Sequence, residues 1–171
     1  MIPYIKKTAQ TLVADFFGHG KCEFVQDFAH PLLMMAIADQ LGVSSEMLPS
    51  FKRWSDAIVE PFSMMTTPER EIECARLVVE MQYFFKNQLY QRKGQSGTDL
   101  LSMCANAAAD QGNPIGLSEL LSIVTIDLLA SGNETATAAI ASGMLKSAEN
   151  PALVKKLRSN PRYLRAFVEE V

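Results

Sequence analysis

The residues with the clearest chemical potential lie at the centre of a long apolar stretch, residues 117–148. Its charged side chains are confined to Glu119, Asp127, Glu134 and Lys146, and its middle reads SGNET, at 131–135. Carboxyl and hydroxyl groups can hold and exchange protons. A buried acid is costly unless it is paired or protonated, and glycine weakens a helix interior. Such exceptions are kept mostly at functional sites, so this polar group indicates one.

Helical geometry places the polar side chains together. At 100° per residue, four of them fall within about 100° of arc: Asp127, Ser131, Glu134 and Thr135. Ala130 is a small neighbour, and Gly132 leaves a gap beside them. The alternative is a packing helix that tolerates its glycine and whose threonine hydroxyls bond to carbonyls one turn earlier.

The elements that position this stretch are predicted to be helices. A short strand at 22–25 is the only exception, and Ser118 is the expected N-cap of the central helix, at about 117–148. Proline at the start and glycine after the end delimit a helix from Pro31 to Gly42. The other predicted helices span 2–17, 49–60, 68–92 and 99–110, and Thr67 is the expected cap of the helix at 68–92. The fold class is therefore all-α.

The central motif resembles a known one. The string SGNETA, inside LLASGNETATAAI, is similar to the oxygen-activating helix of cytochrome P-450 monooxygenases, which carries Ala/Gly-Gly-x-Asp/Glu-Thr-Thr/Ser. Gly132, Glu134 and Thr135 match the glycine, the acid and the threonine of that family. Ser131 and Ala136 are mild departures from the family pattern. The family usually has Ala or Gly where this chain has Ser131, and it often has another hydroxyl residue where this chain has Ala136.

The flanking segments resemble the same family in the same order. EFVQDFAHPLLMMAIADQLGV, FKRWSDAIVEPF and ENPALVKKLRSNPRYLRAFVEEV are similar to successive segments of soluble bacterial members. Residues 1–171 are thus expected to form one partial domain, the central helical portion of the fold. Glu170 would be the glutamate of the family's Glu-x-x-Arg motif. The N-terminal part and the C-terminal loop with the axial cysteine are expected to lie outside these residues.

The cysteines of the chain do not match that axial loop. Cys22 lies in DFFGHGKCEF, where Asp15 replaces the leading Phe and Phe24 the trailing Gly. Cys74 and Cys104 lie in helical stretches and are expected to behave as small buried hydrophobes. No metal ligand is therefore assigned. The resemblance implies haem in the complete protein, but we expect no thiolate-bound haem in this portion alone.

The resemblance also implies an activity and residue roles. The complete protein would insert one oxygen atom of O₂ into a small hydrophobic substrate, with electrons from a ferredoxin or a flavin reductase. Glu134 would deliver protons, and Thr135 would hydrogen bond to a water or to the oxygen substrate. The residues expected to face substrate or oxygen are Asp127, Ala130, Ser131 and Gly132. The alternative is a haem-free, inert remnant that acts at most as a helical interaction domain.

Composition narrows the partners and the location. The 171 residues carry a net charge of −3 and a pI of about 5.4, which argues against nucleic acid. Three scattered cysteines form no disulfide framework, and the N-terminus lacks the apolar core of a signal peptide. Acids interrupt the central helix, so a membrane span is not expected. We expect a cytoplasmic protein whose exposed apolar surface could drive self-association.

Overall fold

A computed structural model describes residues 1–107 and 115–171, apart from the side chains of residues 128 and 130. Its elements are helical, which confirms the all-α prediction. The α-helices are α1 (Ile2–Phe17), α2 (His30–Leu41), α3 (Leu48–Val59), α4 (Pro68–Arg92), α5 (Leu100–Asn106), α6 (Leu117–Ser122), α7 (Ser131–Glu149), α8 (Pro151–Ser159) and α9 (Pro161–Glu170). Two π-helical segments, Val25–Ala29 and Ile123–Ala130, and two 3₁₀ turns, Ser45–Met47 and Glu60–Ser63, complete the described elements.

Most helix ends follow from local sequence signals. Gly42 ends α2 in the left-handed conformation, with φ of 69°, where a glycine has no steric penalty. The hydroxyl of Thr67 accepts a hydrogen bond from the Arg70 backbone N–H at 3.3 Å and caps α4. Asn150 caps α8 in the same way. Gly42 and Thr67 confirm the predicted end of α2 and the predicted start of α4, whereas α2 begins at His30 and not at Pro31. Of the helix predicted at 99–110, Leu100–Asn106 is observed, and residues 108–110 lie outside the described residues.

Two local predictions are wrong. Residues 22–25 form no strand, because Val25 begins a π-helical segment. Glu23 accepts a hydrogen bond from the Gln26 N–H at 2.7 Å, and Asp27 accepts one from the Glu23 N–H at 2.8 Å. This reciprocal capping stabilises a helical start. Ser118 is also not the N-cap, since the central helix begins at Leu117, directly after Gly116.

The core lies where α2, α3 and α4 meet the central helix. Four aromatic side chains of α3 and α4 pack in tilted and edge-to-face pairs, with ring centroids 5.2–6.2 Å apart: Phe51, Trp54, Phe84 and Phe85. The indole N–H of Trp54 donates to the Glu80 carboxylate at 3.2 Å, so its polar group is satisfied. This packing holds α2 and α3 in place against the helix that carries the motif.

An ion pair between Arg92 and Asp99 lies where the C-terminal ends of α2 and α4 meet the N-terminus of α5. Arg92 donates to the carbonyl of Gly42 at 2.7 Å and to the carboxylate of Asp99 at 3.1 Å. Burial raises the pKa of Asp99, but hydrogen bonds from Ser102 and the charge of Arg92 outweigh it and hold the pKa below its usual value.

No described helix is both long enough and apolar enough to cross a bilayer.

Candidate functional site

The central helix changes its winding just before the motif. It runs as α6, then as the π-helical segment Ile123–Ala130, then as α7. The N–H of Ser131 donates to the carbonyl of Ile126, five residues earlier, at the point where the α-helix resumes. Short π-helical segments inside α-helices are frequent at functional sites. The stretch predicted as a single α-helix, 117–148, is therefore helical throughout, but it contains a π-helical segment between two α-helical ones.

One face of α7 is a continuous exposed stripe of small and polar residues, here called the distal stripe. It consists of Ser131, Glu134, Thr135, Ala138, Ala139 and Ser142, and Asp127 is also exposed one turn earlier. At 100° per residue its six members fall on one side of the helix. The structure thus places four of the predicted site residues on the surface of this chain. The side chain of Ala130 lies outside the described residues.

Gly132 lies beside the distal stripe and is half-buried. A methyl group built at Gly132 would have as its nearest neighbours the carbonyl oxygen of Asp127 and a methyl of Ile37, both at 3.9 Å. That separation is ordinary van der Waals contact. A side chain as small as alanine would therefore meet no clash with the described residues at this position.

The hydroxyl of Thr135 already has a hydrogen-bond partner. It donates to the carbonyl of Ser131, one turn earlier, at 2.7 Å. Thr125 makes the same bond to Leu121, also at 2.7 Å, so this feature agrees with the packing alternative. The bond uses the proton of Thr135 but leaves its oxygen lone pairs exposed. In this state Thr135 can accept a hydrogen bond from a water.

The amide of Asn133 points the other way, into the core, and is fully buried. Its Nδ2 lies 3.4 Å from Ser55 Oγ, 3.5 Å from His30 Nε2 and 3.4 Å from a carboxylate oxygen of Glu134. Its Oδ1 accepts a hydrogen bond from the Thr137 hydroxyl at 3.4 Å. This Asn133 cluster joins α2, α3 and α7 directly behind the distal stripe.

The partners of Asn133 were not predicted from the sequence. Asn133 was only part of the polar group SGNET, although its position on the helix implies a hydrogen-bond partner in a neighbouring helix. Asn133 is two residues from Thr135, which puts the two side chains about 200° apart on an α-helix. An amide opposite an exposed acid-and-hydroxyl pair must face neighbouring helices. Only those helices, however, identify His30 and Ser55 as its partners.

The surroundings of the His30 imidazole favour its neutral form by lowering its pKa. Burial lowers the pKa of His30, and the charge of Lys52 lowers it further. The carboxylates of Asp56 and Glu134 act in the opposite direction without reversing the shift. A neutral imidazole has one ring nitrogen free to accept a hydrogen bond, as the contact of Nε2 with the Asn133 amide requires.

The remaining candidates occupy separate positions. Cys22 is exposed, whereas burial raises the pKa of the Cys74 and Cys104 thiols. The prediction that these two behave as buried hydrophobes fits Cys74, which is 1% exposed, better than the half-buried Cys104. Glu170 is the exposed last residue of α9. Among the described residues, no three His, Cys, Asp or Glu side chains group as metal ligands.

Relatives of the chain share this arrangement of helices. No model of a protein family matches the chain. A cytochrome P-450 of Bacillus subtilis is 30% identical over 98% of this chain. The 6-deoxyerythronolide B hydroxylase of Saccharopolyspora erythraea is 29% identical over all of it. The crystal structure of P-450BioI, in complex with hexadec-9Z-enoic acid ligated acyl carrier protein, superposes with a TM-score of 0.85 at 28% identity and covers 98% of this chain.

The chain matches the central helical part of a cytochrome P-450. It spans only about 40% of the length of these relatives: 43% of the Bacillus protein, 41% of the hydroxylase and 42% of P-450BioI. The P-450 resemblance inferred from SGNETA and its flanks is therefore confirmed. The match of the folds places α7, with its distal stripe, in the helical part of the P-450 architecture.

The distal stripe carries only one side chain longer than threonine, Glu134. A flat macrocycle such as haem would need an open surface of this kind. The stripe contains no cysteine, and the thiols of Cys74 and Cys104 have raised pKa values, which disfavours the thiolate form that binds iron. Cys74 and Cys104 are therefore poor candidates for a thiolate ligand.

Proposed function

We propose that these residues are the oxygen-activating part of a haem monooxygenase that inserts one atom of O₂ into a small hydrophobic substrate. The observation that carries the proposal is the exposure of Glu134 and Thr135 on one stripe beside Gly132, in a chain that matches P-450 structures over nearly all its length. Bound haem would supply the activation of oxygen. Residues 1–171 would be one part of a single domain around it.

In this proposal the distal stripe routes protons and positions water. Glu134 is exposed and can exchange protons with solvent, which a general acid requires. Thr135 accepts from a water while its own proton is bonded to Ser131, and it donates toward the stripe only when that bond opens. Asp127, Ser131 and the backbone at Ala130 lie one to two turns earlier and would face substrate. A second acid, Asp127, is unusual in an apolar pocket.

The relatives indicate the substrate class. One carries a name for hydroxylation of 6-deoxyerythronolide B, and another was crystallised with hexadec-9Z-enoic acid on its carrier protein. The segment between α3 and α4 presents soft apolar side chains to solvent: Phe62, Met64 and Met65, which are 80–94% exposed. We propose a hydrophobic substrate, a ferredoxin or flavin reductase as electron donor, and a cytoplasmic location. The haem-free interaction domain is the second candidate, and no contact among residues 1–107 and 115–171 favours it.

The proposed activity can be tested in the protein that contains these residues together with a cysteine loop. We expect a reduced, CO-bound spectrum with the Soret band of thiolate-ligated haem. We also expect one ¹⁸O atom in the product when the reaction is run under ¹⁸O₂. A protein that binds no haem would support the interaction-domain alternative. The 171 residues alone are the control, and a thiolate-type band that disappears in their Cys22→Ser variant would show that Cys22 was wrongly dismissed.

We further propose that the 171-residue chain self-associates through the groove between α7, α8 and α9. The groove encloses about 630 Å³ and is almost entirely apolar. Its rim includes Leu164 and Val168, which are 51% and 67% exposed. Exposed apolar patches promote association.

Sedimentation of the chain should show oligomers, and a hydrophobic dye should bind. The double variant Leu164→Ser/Val168→Ser should weaken both effects. Replacing exposed Ile2 and Phe17, on α1, with serine should not. A monomer that binds no dye would contradict this proposal.

A further inference from the structure

The Asn133 cluster contains more hydrogen-bond acceptors than its amide can serve. Nδ2 carries two hydrogens, but His30 Nε2, Ser55 Oγ and a Glu134 carboxylate oxygen all lie at 3.4–3.5 Å from it. These separations exceed the usual 2.9–3.0 Å for such bonds. Each bond is therefore weak, and exchanging one acceptor for another is inexpensive. The cluster is therefore better suited to letting the Asn133 amide change acceptors than to holding it rigidly on one of them.

The charge state of His30 determines which acceptors are available. A neutral His30 accepts at Nε2, so the amide hydrogens can serve His30 and Ser55 while the Glu134 carboxylate remains unbound. A protonated His30 carries hydrogens on both ring nitrogens and cannot accept. The amide then turns to Glu134, whose negative charge is also attracted toward the imidazolium. The two arrangements differ in whether Glu134 is held at Asn133 or is released to the distal stripe.

The charged groups that shift the pKa of His30 lie on α3 and α7, although α1 and the segment Val25–Ala29 also pack against α2. Lys52 and Asp56 lie on α3, and Glu134 lies on α7. Lys52 forms an ion pair with Asp56 at 2.7 Å, so the opposing charges on α3 largely compensate each other. Unlike Asp56, the Glu134 carboxylate has no ionic partner among the described residues. Its one hydrogen bond to a described residue is the one from the Asn133 amide.

We infer that His30 and Asn133 are positioning residues for Glu134, with the Asn133 amide transmitting the protonation state of His30 to the carboxylate. A neutral His30 releases Glu134 for proton delivery, and a charged His30 retains it. This inference rests on the proposed function for its role in catalysis. The coupling between His30 and Glu134 can be measured without any turnover.

The coupling is tested by NMR titration of His30 in the complete, reduced and CO-bound protein, which is diamagnetic. His30→Gln provides the assignment. Because the Glu134 carboxylate raises the pKa of His30, Glu134→Gln should lower that pKa. In an Asn133→Leu background the same substitution should produce a clearly smaller shift, because only the direct charge of Glu134 then acts on His30. Asp56→Asn, which removes a carboxylate that acts directly on His30, should lower the pKa in both backgrounds. A Glu134→Gln shift that is equally large beside Leu at 133 would overturn the inference.

The catalytic consequence is tested by the pH profile of product formed per reducing equivalent. We expect this ratio to fall as the pH is lowered through the pKa of His30, and we expect His30→Gln to abolish that inflection. Thr137→Val is the matched control, because it removes a hydrogen bond to the other end of the same amide and should leave the inflection in place. An unchanged inflection in His30→Gln would overturn the positioning role. Absence of any oxygenation would instead overturn the proposed function, while the NMR result would still decide the coupling.

Discussion

Replacing Glu134 with glutamine is expected to slow product formation by about 10²–10⁴-fold, the usual contribution of a general acid or base. An amide cannot donate and recover a proton as a carboxyl group does. The substitution is otherwise conservative in this structure, because the only described partner of the carboxylate is the Asn133 amide at 3.4 Å. The side-chain carbonyl of glutamine can accept that same hydrogen bond. The loss should therefore appear in the rate and not in the free energy of unfolding.

The measurement pairs initial rates with urea unfolding of the same preparations. Glu119→Gln is the matched control, because Glu119 is an exposed acid on the same helix, in α6. Exposed substitutions away from special features usually change the unfolding free energy by no more than about 0.5 kcal/mol, and we expect this for both variants. A Glu134→Gln enzyme with the turnover of the unmodified protein would refute the assignment of Glu134 as the proton donor.

Thr135→Ala is expected to divert most reducing equivalents from product to hydrogen peroxide, with substrate binding largely intact. The hydroxyl is exposed, and its single described bond is to the carbonyl of Ser131 in its own helix. Removing it deletes no contact with another element, and alanine is the better helix former. The packing alternative makes the opposite prediction, a change in stability with no change in the yield of product per electron.

Product and peroxide should be measured per reducing equivalent, with the unfolding midpoint alongside. Thr135→Ser retains the hydroxyl and should keep most of the product yield. Thr125→Ala is the matched control, since Thr125 makes the same backbone bond but is buried, at 2% exposed. It should lower the unfolding midpoint without increasing peroxide formation. If Thr135→Ala forms product as efficiently as the unmodified protein, the distal stripe does not control oxygen chemistry through this hydroxyl.

The amino-acid sequence by itself determined the features that depend on neighbours along the chain. Helix ends at Gly42 and Thr67 follow from glycine conformation and from hydroxyl capping, which are effects of a few adjacent residues. The grouping of Ser131, Glu134 and Thr135 on one face follows from the helical period alone. The SGNETA motif and the order of its flanks were sufficient to indicate the P-450 family.

Local signals were insufficient where several weak preferences competed. The apolar and aromatic residues at 22–25 suggested a strand, but carboxylates at 23 and 27 cap the backbone and favour a helical turn. The π-helical winding of 123–130 was not predicted, because the hydrophobic period of an apolar segment hardly distinguishes it from an α-helix.

Only the tertiary structure decided which polar residues act together across the fold. Asn133 is 103 residues from His30 and 78 from Ser55 along the chain, so no spacing rule connects them. Their contact exists because the aromatic packing of α3 on α4 and the docking of α2 on α7 bring three helices to one point. Burial there removes water as a partner, which makes the few polar atoms present depend on one another. The motif could thus be recognised from sequence, whereas its connection to His30 required the packed helices.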